Sequence, residues 1–122
     1  MAISLHGTPR HRAEQIRAQG PNPDFVEAGG TRAESFSTYL EHGPFLFGPP
    51  EEYACRKAAA FPNEGGAAIL AVAVPDPIFA SAVNEWFSLS QGLIQFDEGA
   101  GLGELLAAWP TLGKEIRSVE CP

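Results

Sequence analysis

Leu5-His6-Gly7-Thr8 is where residue types and spacing come closest to a chemical site. Apolar residues alternate from Ala2 to Leu5, which predicts a short strand that ends at the histidine. An imidazole at a strand end can donate or accept a hydrogen bond, or exchange a proton near neutrality. Gly7 behind it lets the backbone approach a ligand closely. Thr8 is placed to cap the following helix, with Pro9 at its first position. Elsewhere the chemistry is sparse. His11 and His42 stand alone, and no metal-ligand spacing occurs. Cys55 has no base near it in sequence. Gly99 to Gly103 lacks the spacing of a dinucleotide fingerprint and reads as a loop.

The elements around that motif are short. A helix is predicted from Pro9 to about Gln19, stopped by Gly20 and barred from continuing by Pro21 and Pro23. Residues 20–35 form a long turn-rich connection, a length that is often functional. A strand over 36–40 and an apolar piece over 44–47 follow. Pro50-Glu51-Glu52 is a strong helix start, because acids at the first turn suit the helix dipole. That helix runs to Ala60, and a turn is predicted at residues 62–66. Residues 67–74 are apolar on both faces, as in an interior strand. A helix over 78–87, a strand over 92–96, a helix through Leu102, Leu105, Leu106 and Trp109, and an edge strand over 115–120 complete the chain. No repeat or linker interrupts it, so residues 1–122 read as one α+β domain.

Composition agrees with that size. The chain has 122 residues, and its 44% hydrophobic content supports one modest core. Thirteen Gly and eleven Pro suit many short elements joined by turns. The formal net charge is −7, which disfavours non-specific binding to a phosphate backbone. Arg10, Arg12, Arg17 and Arg32 are nonetheless front-loaded, most simply as a solvated helix face. Two cysteines, Cys55 and Cys121, do not make a disulfide framework and point to a reducing compartment. No signal pattern and no membrane-length apolar run is present, so a cytoplasmic protein with no membrane contact is expected.

The order of these pieces resembles the ADP-ribosyltransferase fold, in the branch marked by histidine, tyrosine and glutamate. The resemblance implies a domain of two packed, mostly antiparallel sheets with short flanking helices. It also implies NAD, as substrate, in a cleft between the sheets. Leu5-His6-Gly7-Thr8 matches the first motif, so His6 would hold a ribose, the Gly7 backbone the nicotinamide amide, and Thr8 would line the same site. Phe45, ahead of Gly48-Pro49-Pro50-Glu51, falls in the place of the stacking tyrosine, with Tyr39 as the alternative and Tyr53 behind it. Phe45 can stack but lacks the hydroxyl. Gln91 falls in the place of the glutamate and lacks its charge, so electrostatic stabilisation of a ribosyl cation is reduced. Glu98, Asp97 and Glu85 are the substitute acids.

The function implied is transfer of ADP-ribose to an acceptor, a protein among the candidates. A catalytically silent binding module on the same fold is the alternative, favoured by the altered second and third motifs. An RNA 2′-phosphotransferase-like enzyme, which would use Arg10, Arg12 and Arg17 on phosphates, is another. Phe36-Ser37-Thr38 and Gln95-Phe96-Asp97-Glu98 only loosely echo the second transferase branch.

Overall fold

The computed structural model describes residues 1–25, 35–43, 45, 48–80, 93–97 and 100–122. Its elements in chain order are β1 (Ala2–Pro9), α1 (Arg10–Gln19), β2 (Ser35–Leu40), α2 (Pro50–Ala60), β3 (Ala67–Val74), α3 (Asp76–Phe79), β4 (Leu93–Asp97), α4 (Ala100–Ala108), a 3-10 turn (Trp109–Thr111) and β5 (Lys114–Ser118). The strands form one sheet in the order β4-β2-β1-β3-β5, with every neighbouring pair antiparallel. The expected α+β class is therefore present. The expected two sheets are not: the described strands share a single ladder system.

Register decides which residues share a face. Ala2, Ser4, His6 and Thr8 lie opposite Val74, Val72, Leu70 and Ala68. Leu40, Thr38 and Phe36 of β2 continue that face outward, and Ile94 and Phe96 of β4 extend it. This first face carries the main core, where Phe36, Leu70, Ile94 and Phe96 pack with Ala13 of α1 and with Leu102 and Leu105 of α4. The second face carries Ile3, Leu5 and Gly7 of β1, opposite Ala73, Ala71 and Ile69. Its smaller cluster is Leu5, Ile69 and Ala71 under Ala54 of α2. β3 is thus buried on both sides, as its unbroken apolar run requires.

The start of α1 differs from expectation. The strand runs through Thr8 to Pro9, and Pro9 precedes the helix with no side-chain cap. Thr8 is buried on the first face, so its hydroxyl is not at the helix end. The first free amides of α1 go instead to a distant turn: Arg10 N–H donates to the Gly66 carbonyl at 2.9 Å and His11 N–H to Glu64 at 3.0 Å. Gly65 and Gly66 both have positive φ, which lets that turn present two carbonyls to the helix. Arg12 reaches the same turn. Its guanidinium contacts Glu64 at 2.5 and 3.3 Å and lies 4.0 Å over the Phe61 ring. Only 13% of that side chain is exposed, so Arg12 is a brace and not part of a solvated face.

Two further expectations are corrected. Gly101 and Gly103 lie inside α4, where a loop was expected. The buried side of that helix, Leu102, Leu105 and then Trp109, overrides glycine's poor helix propensity. The cysteines are also not separate thiols: Cys55 of α2 and Cys121 form a disulfide, with Cα atoms 5.7 Å apart. Three other expected features are present. α2 begins with Pro50, Glu51 and Glu52 in its first turn, Gly20 ends α1 at φ +85°, and β5 is an edge strand. Of the helix expected at 78–87, α3 covers Asp76–Phe79, and residues 81–87 lie outside the described residues.

Candidate functional site

The sheet is held together unevenly at its middle. β1 and β3 pair over eight residues, from Ala2↔Val74 to Pro9↔Ala67. β2 and β4 pair over five. β1 and β2 pair over only two, Ser4↔Leu40 and Leu5↔Tyr39. One more backbone bond, Glu41 N–H to the Ile3 carbonyl, closes that end of the joint. Past Leu5 the two strands leave one another, each keeping its outer partner.

His6 is the first residue of β1 beyond the joint. Its Nδ1 lies 2.8 Å from the Ser37 carbonyl oxygen on β2. A carbonyl only accepts, so Nδ1 carries the proton. In the neutral imidazole Nε2 is then the acceptor nitrogen. The ring lies against Phe36, with centroids 4.7 Å apart. A side-chain bond therefore takes over where the backbone ladder stops, and it fixes both ring plane and tautomer.

Gly7 has a packing reason of its own. A Cβ there would lie 2.9 Å from the Pro50 carbonyl oxygen and 3.1 Å from the Ala54 nitrogen. The glycine lets α2 sit directly on β1. The second-face side of Gly7 is taken by this helix, so it is not open to a ligand.

Tyr39 pairs with Leu5 and lies on the second face. Phe45 meets it edge-on, with ring centroids 5.8 Å apart. Tyr53 of α2 stands nearby and carries Arg56 and Lys57 against its ring, at 5.7 and 5.6 Å. Burial is the main cause that pushes the Tyr39 phenol above its ordinary pKa. The neighbouring Tyr53 adds to it, and Arg56 opposes. Tyr39 thus stays protonated through the neutral range. Arg56 received no weight from the sequence and Tyr53 little. The usable signal was their spacing of three on α2, which places both on one flank of a helix.

The structure therefore brings Tyr39 and Phe45 together and sets His6 and Thr8 on the opposite face of the sheet. Gln91, Glu98 and Glu85 lie outside the described residues. Asp97 ends β4 opposite Ser35. Among the described residues no group of His, Cys, Asp or Glu could hold a metal ion.

Two hydroxyls at the joint escaped the sequence reading. Ser4 and Thr38, each 1% exposed, sit on the first face, on either side of the β1–β2 seam. Among the described residues neither hydroxyl oxygen has a hydrogen-bond partner. An unpaired buried hydroxyl costs about 1–3 kcal/mol, so it weakens the fold where it stands. Thr38→Val should accordingly leave stability unchanged or raise it by about 1 kcal/mol in urea denaturation. A loss of similar size would show that the hydroxyl is satisfied in the folded protein.

The fold and site together define a small α+β domain whose single antiparallel sheet parts beside a histidine. Comparison of the chain with protein-family models, with curated proteins and with solved structures finds no match.

Proposed function

We propose that this chain is an NAD-binding domain of the ADP-ribosyltransferase type, with the nucleotide held where β1 and β2 part. The observation that supports the reading is the two-pair joint with His6 at its end. Such a joint leaves β1-β3-β5 and β2-β4 as half-sheets able to flank a ligand, in place of the two separate sheets that the resemblance implies. His6, oriented by the Ser37 carbonyl, is the residue that the resemblance assigns to a ribose. Tyr39 or Phe45 supplies an aromatic surface for nicotinamide. The reaction would break the nicotinamide–ribose bond and pass ADP-ribose to an acceptor, with Gln91 or Glu98 steadying the positive charge. The acceptor's identity is open, with a protein as one candidate.

The second reading, a catalytically silent binding module, draws on a different observation. The sheet separates His6 from Tyr39 and Phe45, and the two aromatic rings already pack on each other. The phosphotransferase reading loses support, because Arg12 is engaged with Glu64, and Arg10 with Glu14 and Ser118.

Titration with NAD, followed by NMR and calorimetry, tests the proposal. His6→Ala should weaken binding by about tenfold, the equivalent of one hydrogen bond, while the unfolding midpoint reports any loss of fold. Weakening by Tyr39→Ala as well would place both residues on one ligand. No binding at millimolar NAD leaves the silent module.

As to compartment, no helix among the described residues is long and apolar enough to cross a membrane. The cytoplasmic location expected from the sequence sits poorly with the Cys55–Cys121 bond, since disulfides are rare where glutathione and thioredoxin keep thiols reduced. We place the working protein in an oxidising compartment.

A further inference from the structure

We infer that the Cys55–Cys121 disulfide is a redox-operated strap that holds α2 on the sheet, and that a dithiol reductant releases α2 while the rest of the domain stays folded. The inference does not depend on the nucleotide reading. It begins with the imbalance between the two faces. On the first face, Phe36, Leu70, Ile94, Phe96, Leu105 and Trp109 pack together. On the second, α2 fully buries two small side chains, Pro50 and Ala54, and of these Ala54 joins the cluster over Leu5, Ile69 and Ala71. Apolar burial scales with side-chain area, so α2 sits close on β1 but is held by less apolar packing than the layer on the first face.

The disulfide compensates on one flank. Cys55 lies on α2, about 200° around the helix from Tyr53. Tyr53 therefore faces the β2 side and Cys55 the β5 side. The segment that carries Cys121 leaves β5 along the second face. Val119 N–H donates to the Ala67 carbonyl at 3.0 Å, and the Val119 side chain packs on the same small cluster. The covalent bond thus joins α2 to a strand extension that is itself tied to β3. Cys121 is exposed and Cys55 half-buried, so the bond is open to attack.

The chemistry balances with a dithiol as reductant. One thiolate attacks the exposed Cys121 sulfur, and Cys55 leaves as a thiolate and takes a proton. The second thiol then displaces Cys121 and closes the reductant into its own disulfide. Two electrons pass to the protein, which gains two thiols.

Hydrogen exchange on the full chain, with and without dithiothreitol, reads the result. Reduction should speed exchange of the α2 amides, residues 50–60, by about tenfold more than that of β3, residues 67–74. Reoxidation should reverse the change, and Cys121→Ser should reproduce the reduced state. If that variant does not fold, reduced wild-type protein answers the same question. Unchanged α2 exchange would overturn the inference. So would α2 and β3 accelerating in step, which marks a bond that only stabilises the whole domain.

Discussion

Gly7→Val should lower stability by about 3 kcal/mol, and with it the thermal midpoint by roughly 10 °C, through overpacking. The reason is the distance between two backbones. Even the first carbon of a side chain at residue 7 would lie 2.9 Å from the Pro50 carbonyl oxygen and 3.1 Å from the Ala54 nitrogen, and both atoms belong to the main chain of α2. A flexible side chain could turn away, but a helix has to move as a body. Valine adds two further carbons on the same side. The result separates two roles for this glycine. Were it present only to let a ligand approach, the valine variant would keep its midpoint and lose binding. A docking role predicts a fall in midpoint without any ligand, and thermal denaturation of the apo protein distinguishes the two.

Trp109→Ala should cost more, about 3–5 kcal/mol by urea denaturation. The indole is 3% exposed and meets Phe36 edge-on, with centroids 6.2 Å apart. Its Nε1–H donates to the Arg17 carbonyl at 3.0 Å, near the end of α1. Lys114 of β5 lies over the same ring and bonds to the Trp109 carbonyl. One side chain therefore touches α1, β2 and β5, and its removal leaves a large cavity as well as an unmet carbonyl. Trp109→Phe, which keeps most of the body and loses the donor, should cost about 1–2 kcal/mol. Equal losses in the two variants would mean that the hydrogen bond, not the packed volume, is what matters.

The parts of this fold that could be read from sequence are those specified by neighbouring residues. α2 announces itself through Pro50, Glu51 and Glu52, and β3 through eight apolar residues in a row. What could not be read depends on pairing. Whether His6 and Tyr39 share a face turns on register, and a shift of one residue reverses the answer. The pairing Leu5↔Tyr39 puts Tyr39 with Gly7 and sets His6 on the other side. The disulfide is invisible for the same reason, since Cys55 and Cys121 lie 66 residues apart. Glycines 101 and 103 resembled a loop because their helix is stabilised by a core assembled from other strands. The histidine motif was legible as a motif. Its setting, a side-chain bond that replaces a missing backbone rung, was not.

The order of the sheet has a consequence for how the chain folds. β1 precedes the other described strands in sequence yet occupies the centre, and β3 is its long partner, with Ala2 meeting Val74 and Pro9 meeting Ala67. The chain through Val74 must therefore be synthesised before β1 can be fully covered on that side. Until then β1 has at most its two-pair joint with β2, and Ile3 and Leu5 lack the β3 side of their cluster. Pairings so distant in sequence place the domain among slow folders, on the scale of milliseconds to seconds. During that interval the nascent chain is at its most vulnerable to association with other chains.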